Sequence, residues 1–153
     1  MIKTITDWKL DVWGLTETNI LWHNISRHQK WAERMDSIGI NKSDFAYNRH
    51  EATGTLQFLP GGVGQVSTRD MAGRIIDHGK DGTGLGRWIW QKFQGRFGYE
   101  LRIITFYRPC KGETQDVEAS LTTYSQHRRF YNNDSIEPRK KCWTIWNNSY
   151  VPV

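Results

Sequence analysis

Residues 87–107 read RWIWQKFQGRFGYELRIITFY, the most strongly patterned part of the chain. In the predicted strand over 87–93, Trp88 and Trp90 share one face and Ile89 lies on the other. Residues 94–98 contain two glycines and predict a hairpin turn, and residues 99–107 are the strongest strand candidate. Pro109 should end that strand, because proline lacks the N–H that a sheet requires. The stretch therefore predicts an antiparallel β-hairpin.

Shorter patterns predict further strands and helices around this hairpin. Ser26 and Gln29 form a capping box, which predicts a helix after residue 26. The turn Pro60-Gly61-Gly62 predicts a strand directly after it. The predicted segments are strands over 10–17, 44–49, 63–68 and 73–77, and helices over 27–38, 114–131 and 138–146. This order predicts an α/β domain with a mostly antiparallel section, in a two-layer or sandwich arrangement.

Composition indicates a folded, single-domain protein. The chain has 153 residues, about the length of one domain, and its 13% aromatic content is too high for a disordered tail. No stretch approaches the roughly 18 apolar residues that span a bilayer, so no membrane partner is expected. The N-terminus shows no signal peptide, which predicts an intracellular location in the cytoplasm or nucleus. Cys110 and Cys142 are expected to be reduced thiols, although a single disulfide stays open.

Most familiar catalytic and ligand-binding patterns do not occur. The glycine-rich segment 82–86 lacks the spacing of nucleotide-binding loops, and the five histidines include no HxxxH pair for zinc. Asp77 and His78 could form a catalytic dyad, or could be an exposed pair at the end of a strand. Glu17 ends the predicted strand over 10–17. It could hold Mg²⁺ with waters and a substrate phosphate, or it could be a solvated residue at the start of a loop.

Three segments resemble motifs of one superfamily, in the order in which that superfamily has them. Residues 10–19, LDVWGLTETN, resemble the strand that carries the metal-binding Glu of the deoxyribonuclease I-like endonuclease/exonuclease/phosphatase superfamily. Residues 61–67, GGVGQVS, resemble its Gly-Gly turn into a strand, and residues 101–109, LRIITFYRP, resemble its later strand ending in Tyr-x-Pro. Residues 84–88 and the helix around 124–127 are similar to a subgroup found beside reverse transcriptases in retrotransposons.

This resemblance implies a fold, a cofactor and a site. The fold would be a partial four-layer α/β sandwich of the deoxyribonuclease I-like type, with one sheet and its flanking helices. The cofactor would be Mg²⁺, held by Glu17 and acting on a phosphodiester of DNA or another nucleic acid. Tyr107 would be a catalytic residue that contacts the phosphate. Arg108 directly follows it and, by its charge and position rather than by the resemblance, could reach the same phosphate.

The sequence also departs from the superfamily pattern. No Asp-x-Asn or Ser-Asp-His motif occurs, and only nine residues precede Leu10, where the superfamily has a strand carrying an Asn. Residues 1–153 are therefore expected to be a single partial domain that lacks the first strand and the C-terminal half. Because the missing groups would orient and deprotonate the attacking water, we expect little nicking of plasmid DNA by these residues alone.

Basic and aromatic residues are concentrated toward the C-terminus of a chain whose formal net charge is +5. Four of the basic side chains are predicted to contact phosphates: Arg128, Arg129, Lys140 and Lys141. The alternative is a solvated helix face over core tryptophans. Two functions are therefore predicted: part of a Mg²⁺-dependent endonuclease domain, or a non-catalytic remnant or module that binds nucleic acid or a protein.

The motif order also makes predictions about geometry. The strand over 99–107 should be central in a sheet that also contains the strand over 10–16. The carboxylate of Glu17 and the hydroxyl of Tyr107 should face one cleft, because each follows the C-terminal end of its strand.

Overall fold

The structure is a computed structural model that describes residues 7–21, 25–37, 40–50, 59–110, 122–133 and 135–141. The strands in these ranges are β1 (Val12–Thr16), β2 (Ile40–Ala46), β3 (Val63–Thr68), β4 (Ile75–Lys80), β5 (Trp88–Gln94) and β6 (Glu100–Phe106). The helices are α1 (Ile25–Asp36), α2 (Arg69–Gly73) and α3 (Thr123–Tyr131). A 3₁₀ turn at Arg96–Gly98 joins β5 to β6, and residues 138–141 form one further helical turn.

β5 and β6 form the antiparallel hairpin that the sequence predicts. Its register runs from Trp88 opposite Phe106 at the open end to Gln94 opposite Glu100 beside the turn. β4 pairs antiparallel with the other side of β5, which gives the strand order β4-β5-β6. β5 is therefore the central strand, and the prediction of a central strand over 99–107 is wrong for the described sheet.

The other sheet has the order β1-β3-β2, and both of its pairings are antiparallel. Every residue of β3 is buried, because β3 has a strand on each side and the β4-β5-β6 sheet in front of it. Gly64 leaves room in β3 for a ring from β2: a Cβ at this position would lie 2.5 Å from Phe45. β3 occupies the residues predicted for it, whereas β2 and β4 are shifted by two to four residues from the segments predicted over 44–49 and 73–77.

β1 and β6 belong to different sheets, so the prediction of one shared sheet is wrong. The two sheets pack face to face, with β1 against β6 and β3 against β5. Gly14 allows a close approach, because a Cβ there would lie 2.6 Å from Oγ1 of Thr105. The error has a physical cause. Apolar alternation marks a strand with a buried face, but it does not identify the strand that is hydrogen-bonded beside it.

Hydrogen-bonded polar side chains connect the two sheets. Gln91 of β5 accepts a hydrogen bond from Ser67 Oγ of β3 at 2.6 Å and donates one to Asp44 Oδ2 of β2 at 2.9 Å. Gln65 of β3 makes a similar pair of hydrogen bonds to β6, both at 3.3 Å. Both glutamines are fully buried, so these partners must offset the desolvation of their amides.

α1 packs on the β1-β3-β2 sheet through Met35, which joins Val66 in a small apolar core. It is the helix predicted over 27–38, and it begins and ends two residues earlier. The short α2 follows β3 directly and was not predicted.

The C-terminal helices are confirmed in part. α3 forms the later part of the helix predicted over 114–131, and residues 111–121 lie outside the described residues. The helix predicted over 138–146 begins at residue 138, and its part beyond residue 141 also lies outside them. The chain thus has a mixed α/β fold built on two antiparallel three-stranded sheets. Within the described ranges, no helix is long and apolar enough to cross a membrane.

Replacing Gln91 by Ala should lower the free energy of unfolding by about 2–4 kcal/mol, because the buried Ser67 hydroxyl and the partly buried Asp44 carboxylate lose a partner and a cavity opens between the sheets. Gln94→Ala, at the exposed end of the same strand, is the matched control and should change the free energy of unfolding by less than about 0.5 kcal/mol. Urea denaturation measures both effects. Equal effects of the two substitutions would show that the polar contact does not hold the sheets together.

Candidate functional site

Glu17 and Tyr107 meet at one end of the sandwich. Each residue directly follows the C-terminal end of a strand, β1 for Glu17 and β6 for Tyr107. The Tyr107 hydroxyl donates a hydrogen bond of 2.8 Å to Oε1 of Glu17. The structure therefore brings together the two groups that the motif order placed at one cleft, although their strands lie in different sheets. Glu17 is exposed and Tyr107 is half-buried, so the pair is accessible from solvent.

A turn at Gly61 and Gly62 holds the loop that carries Glu17. The two glycines have φ values of +83° and +84°, which residues with a Cβ rarely adopt. Thr18 N donates to the Gly62 carbonyl at 3.3 Å, and Asn19 N donates to the Gly61 carbonyl at 3.0 Å. Asn19 Oδ1 in turn accepts from Gly61 N at 2.9 Å. These reciprocal bonds hold the two residues that directly follow Glu17.

Tyr107 is held through both its backbone and its phenol. Its N–H donates to the Arg87 carbonyl at 2.7 Å, and its hydroxyl, which donates to Glu17, lies close to Thr123 at the start of α3. Burial, followed by the hydrogen bond to Glu17, raises the pKa of Tyr107 to about 12. The hydroxyl therefore keeps its proton at neutral pH and can donate it to an anionic oxygen.

Arg87, which is fully buried, ties α3 to the start of β5. Its Nε forms a salt bridge of 3.0 Å with Asp81 Oδ2, and neither side chain is exposed. Its Nη1 donates to the Tyr131 hydroxyl at the end of α3 at 2.7 Å, and its Nη2 donates to Thr83 Oγ1 at 3.1 Å. Burial alone would raise the pKa of Asp81, but the hydrogen bonds and charge of Arg87, with help from Thr83, lower it below its ordinary value.

His127 of α3 lies close to this buried pair. The side chain is fully buried, and neither ring nitrogen makes a hydrogen bond of good geometry within the described part of the chain. Burial, followed by the charge of Arg87, lowers the pKa of His127 to about 4, against smaller opposing effects of Asp81 and the Leu85 backbone. The imidazole is therefore neutral at pH 7.

Glu17 fits part of a magnesium site rather than a complete one. Among the described residues, no group of three or more His, Cys, Asp or Glu side chains is placed to hold a metal ion. A Mg²⁺ ion at Glu17 would therefore depend on one carboxylate, water molecules and phosphate oxygens of a ligand. Mg²⁺ accepts such a ligand set, because it keeps several waters and often binds through one or two carboxylates and a substrate phosphate.

The predicted basic contacts lie in three places. Arg108 directly follows Tyr107 and is exposed. The others lie further along the chain, with Arg128 and Arg129 on the last turn of α3 and Lys140 and Lys141 in the helical turn 138–141. The last turn of α3 is about 8 Å along the helix axis from Thr123, the residue beside Tyr107. Of the five predicted basic contacts, Arg108 is therefore the one that is adjacent in sequence to the Glu17–Tyr107 pair.

Asp77 and His78 are not arranged as a catalytic dyad. Both are exposed on β4, and Asp77 Oδ1 accepts from the backbone N–H of His78 at 2.8 Å rather than from its ring. The interpretation as an exposed pair in a strand is the one that the structure supports. Cys110 is an exposed free thiol, and Cys142 lies outside the described residues.

A groove beside the Glu17 loop was not predicted from the sequence; its surface is mainly apolar, with two basic residues among those that line it. The groove encloses about 250 Å³ and is lined by Asn19, Ile20, Lys30, Trp31 and Arg34. Lys30 and Arg34 are exposed and four positions apart, so both cations project from one face of α1. The spacing is visible in the sequence, but it becomes informative only once α1 is known to lie next to the loop after β1.

No model of a known protein family matches this chain, and no curated protein matches it either. A functional assignment therefore depends on the residues themselves and on their geometry.

His127 should make the stability of the domain depend on pH. The unfolded chain protonates this ring near pH 6.5, whereas the folded chain does so only near pH 4. The free energy of unfolding should therefore be retained above pH 6.5 and fall by about 3 kcal/mol as the pH drops toward 4. Urea denaturation at a series of pH values measures this slope. His127→Gln should remove it, and an undiminished slope in that variant would refute the role of His127.

Proposed function

We propose that this chain carries part of a Mg²⁺-dependent phosphodiesterase domain that acts on nucleic acid and has a deoxyribonuclease I-like sandwich fold. The observation that carries the proposal is the 2.8 Å hydrogen bond between Tyr107 and Glu17. The two residues are 90 positions apart, in segments that resemble the superfamily's metal-binding and phosphate-binding motifs. Chance resemblance of two short motifs would not by itself bring their two functional groups into contact.

Each residue of the pair has its own task in this proposal. The Glu17 carboxylate would bind Mg²⁺, which when bound polarises the scissile phosphate and stabilises the leaving oxygen. Tyr107 keeps its proton, because its pKa is about 12, and would donate a hydrogen bond to a phosphate oxygen. Without a ligand, the same hydroxyl donates to Glu17, so binding would exchange one anionic acceptor for another.

The groove beside the Glu17 loop would guide the nucleic-acid backbone to the pair. Lys30 and Arg34 would contact phosphates from α1, and Arg108 would contact them beside Tyr107. The formal net charge of +5 has the sign that a polyanionic substrate requires. Further contacts would come from the C-terminal basic residues Arg128, Arg129, Lys140 and Lys141.

Hydrolysis by these residues alone should be weak. The superfamily's water-activating motifs, Asp-x-Asn and Ser-Asp-His, do not occur in the sequence. General-base assistance is typically worth about 10²–10⁴ in rate, so its loss removes much of the catalytic power.

The second candidate function is a module that binds nucleic acid or a protein without cleaving it. The observation in its favour is that the described residues contain no group of three or more metal-ligating side chains. In that case the Glu17–Tyr107 hydrogen bond would link the two sheets, and Mg²⁺ would have no effect on binding.

Mg²⁺ should strengthen the binding of a fluorescein-labelled DNA duplex, measured by anisotropy in Mg²⁺ and in EDTA. Glu17→Gln should abolish this increment, because the amide is a poor ligand for Mg²⁺. Tyr107→Phe should weaken Mg²⁺-dependent binding about tenfold, because a hydrogen bond to a charged group is lost. Asp77→Asn, which changes an exposed carboxylate on β4, is the matched control and should behave as wild type.

The outcomes of this experiment separate the two functions. An equal Mg²⁺ increment in the wild type and in Glu17→Gln would contradict the metal-binding role of Glu17. A wild type that is indifferent to Mg²⁺ would favour the binding module. Plasmid nicking should be weak in parallel assays, and a rapid nicking rate that depends on Glu17 would contradict the view that water-activating groups are missing.

A further inference from the structure

The turn between β5 and β6 carries an aromatic residue in a backbone conformation that aromatic residues rarely adopt. Phe97 has φ +56° and ψ +30°, in the left-handed region. A Cβ is unfavourable in that region, where Gly, Asn and Asp are the usual residues. Burial of the ring does not compensate, because Phe97 is 94% exposed.

The turn does not need a phenyl ring in order to form. Its hydrogen bonds join backbone groups of the flanking residues: Gly95 N donates to the Tyr99 carbonyl at 2.7 Å, and Tyr99 N donates to the Arg96 carbonyl at 3.1 Å. Both bonds would form equally with Asn at position 97. A strained residue that also exposes a large apolar side chain is typical of a binding site, since folding alone would select against it.

The neighbours of Phe97 complete a surface of aromatic rings and positive charge. Tyr99 is 76% exposed, and two residues of chain span at most about 7 Å, so the two rings can meet successive bases of one strand. Arg96 precedes Phe97 and is exposed. Arg74 is also exposed and lies at the same end of the sheet, because its carbonyl accepts from Gln94 N at 2.8 Å.

This surface is separate from the Glu17–Tyr107 pair. The turn precedes β6 and Tyr107 follows it, and β6 is seven residues long. At the rise of an extended strand, the two places are about 20 Å apart.

We propose that the β5–β6 turn, residues 95–99, binds single-stranded nucleic acid, with unpaired bases stacked on Phe97 and Tyr99 and phosphates held by Arg96 and Arg74. Aromatic rings stack on any base, and arginines add attraction that is independent of sequence. The partner must expose base faces, which a single strand does and a duplex does not. Positive charge beside both rings, on a chain of net charge +5, favours a polyanion over an uncharged apolar partner.

Anisotropy titrations of the full chain test this proposal with labelled single-stranded DNA, single-stranded RNA of the same sequence, and the DNA duplex, all in EDTA. Phe97→Asn should lower the affinity for single strands at least about fivefold, because one stacking platform is lost. Its melting temperature should be unchanged or higher, because Asn tolerates positive φ. The DNA and RNA arms show which strand binds more tightly, and either result supports the site.

A matched control separates this site from the rest of the molecule. Trp8→Asn changes an aromatic residue that is 70% exposed elsewhere, and it should leave the affinity unchanged. EDTA removes any Mg²⁺ from Glu17, so the result does not depend on the proposed phosphodiesterase function. Failure of one proposal therefore leaves the other intact.

Equal single-strand affinities of Phe97→Asn and the wild type would overturn the proposal. An equal loss of duplex and single-strand affinity in Phe97→Asn would also overturn it, as would binding to anionic lipid vesicles without binding to oligonucleotides. A measurement on the wild type covers the case in which the variant does not fold. Photocrosslinks from an oligonucleotide containing 5-iodouracil should map to residues 95–99, and crosslinks found only elsewhere would contradict the site.

Discussion

The buried salt bridge between Arg87 and Asp81 is the interaction on which the candidate site depends most. Neither side chain is exposed, so removing one partner would leave an uncompensated charge inside the domain, with a loss of about 3–5 kcal/mol in stability. Arg87 also donates to Tyr131 of α3, and its carbonyl accepts from the backbone of Tyr107. Through these bonds, a single residue connects α3, the start of β5 and the end of β6. The phenol that faces Glu17 takes its position from this arrangement.

The Glu17–Tyr107 pair is formed by two sheets rather than one. The carboxylate follows β1 and the hydroxyl follows β6, so the spacing of the two sheets sets the distance between the two groups. That spacing depends on Gly14, which allows close approach, and on buried amides such as that of Gln91, which bond across the gap. Polar contacts are directional, so they hold the sheets in one relative position where an apolar contact would tolerate sliding. Because the two residues of the pair follow strands of different sheets, holding the sheets in one position keeps the two side chains at a fixed distance.

Individual elements could be predicted from the sequence more accurately than their partners. Glycine-containing turns and apolar alternation are local signals, and they located β3 and the β5–β6 hairpin well. The assignment of β1 and β6 to one sheet was wrong, because pairing is decided by contacts between residues that are distant in sequence. The motifs selected Glu17 and Tyr107, which are hydrogen-bonded to each other in the structure. Lys30 and Arg34 became candidate contacts only when the structure placed α1 beside the loop after β1. Phe97 became one only because of its positive φ, which residue spacing in the sequence does not predict.

The most direct test of the account is a crystal structure of the chain grown with Mn²⁺, in place of Mg²⁺, and a short DNA strand. We predict an anomalous peak about 2.0–2.2 Å from the Glu17 carboxylate, together with a phosphate oxygen that accepts the hydrogen bond of Tyr107. The hydroxyl would then have left Glu17 for the ligand. A structure with DNA bound, no metal at Glu17 and the Tyr107–Glu17 hydrogen bond unchanged would contradict the account.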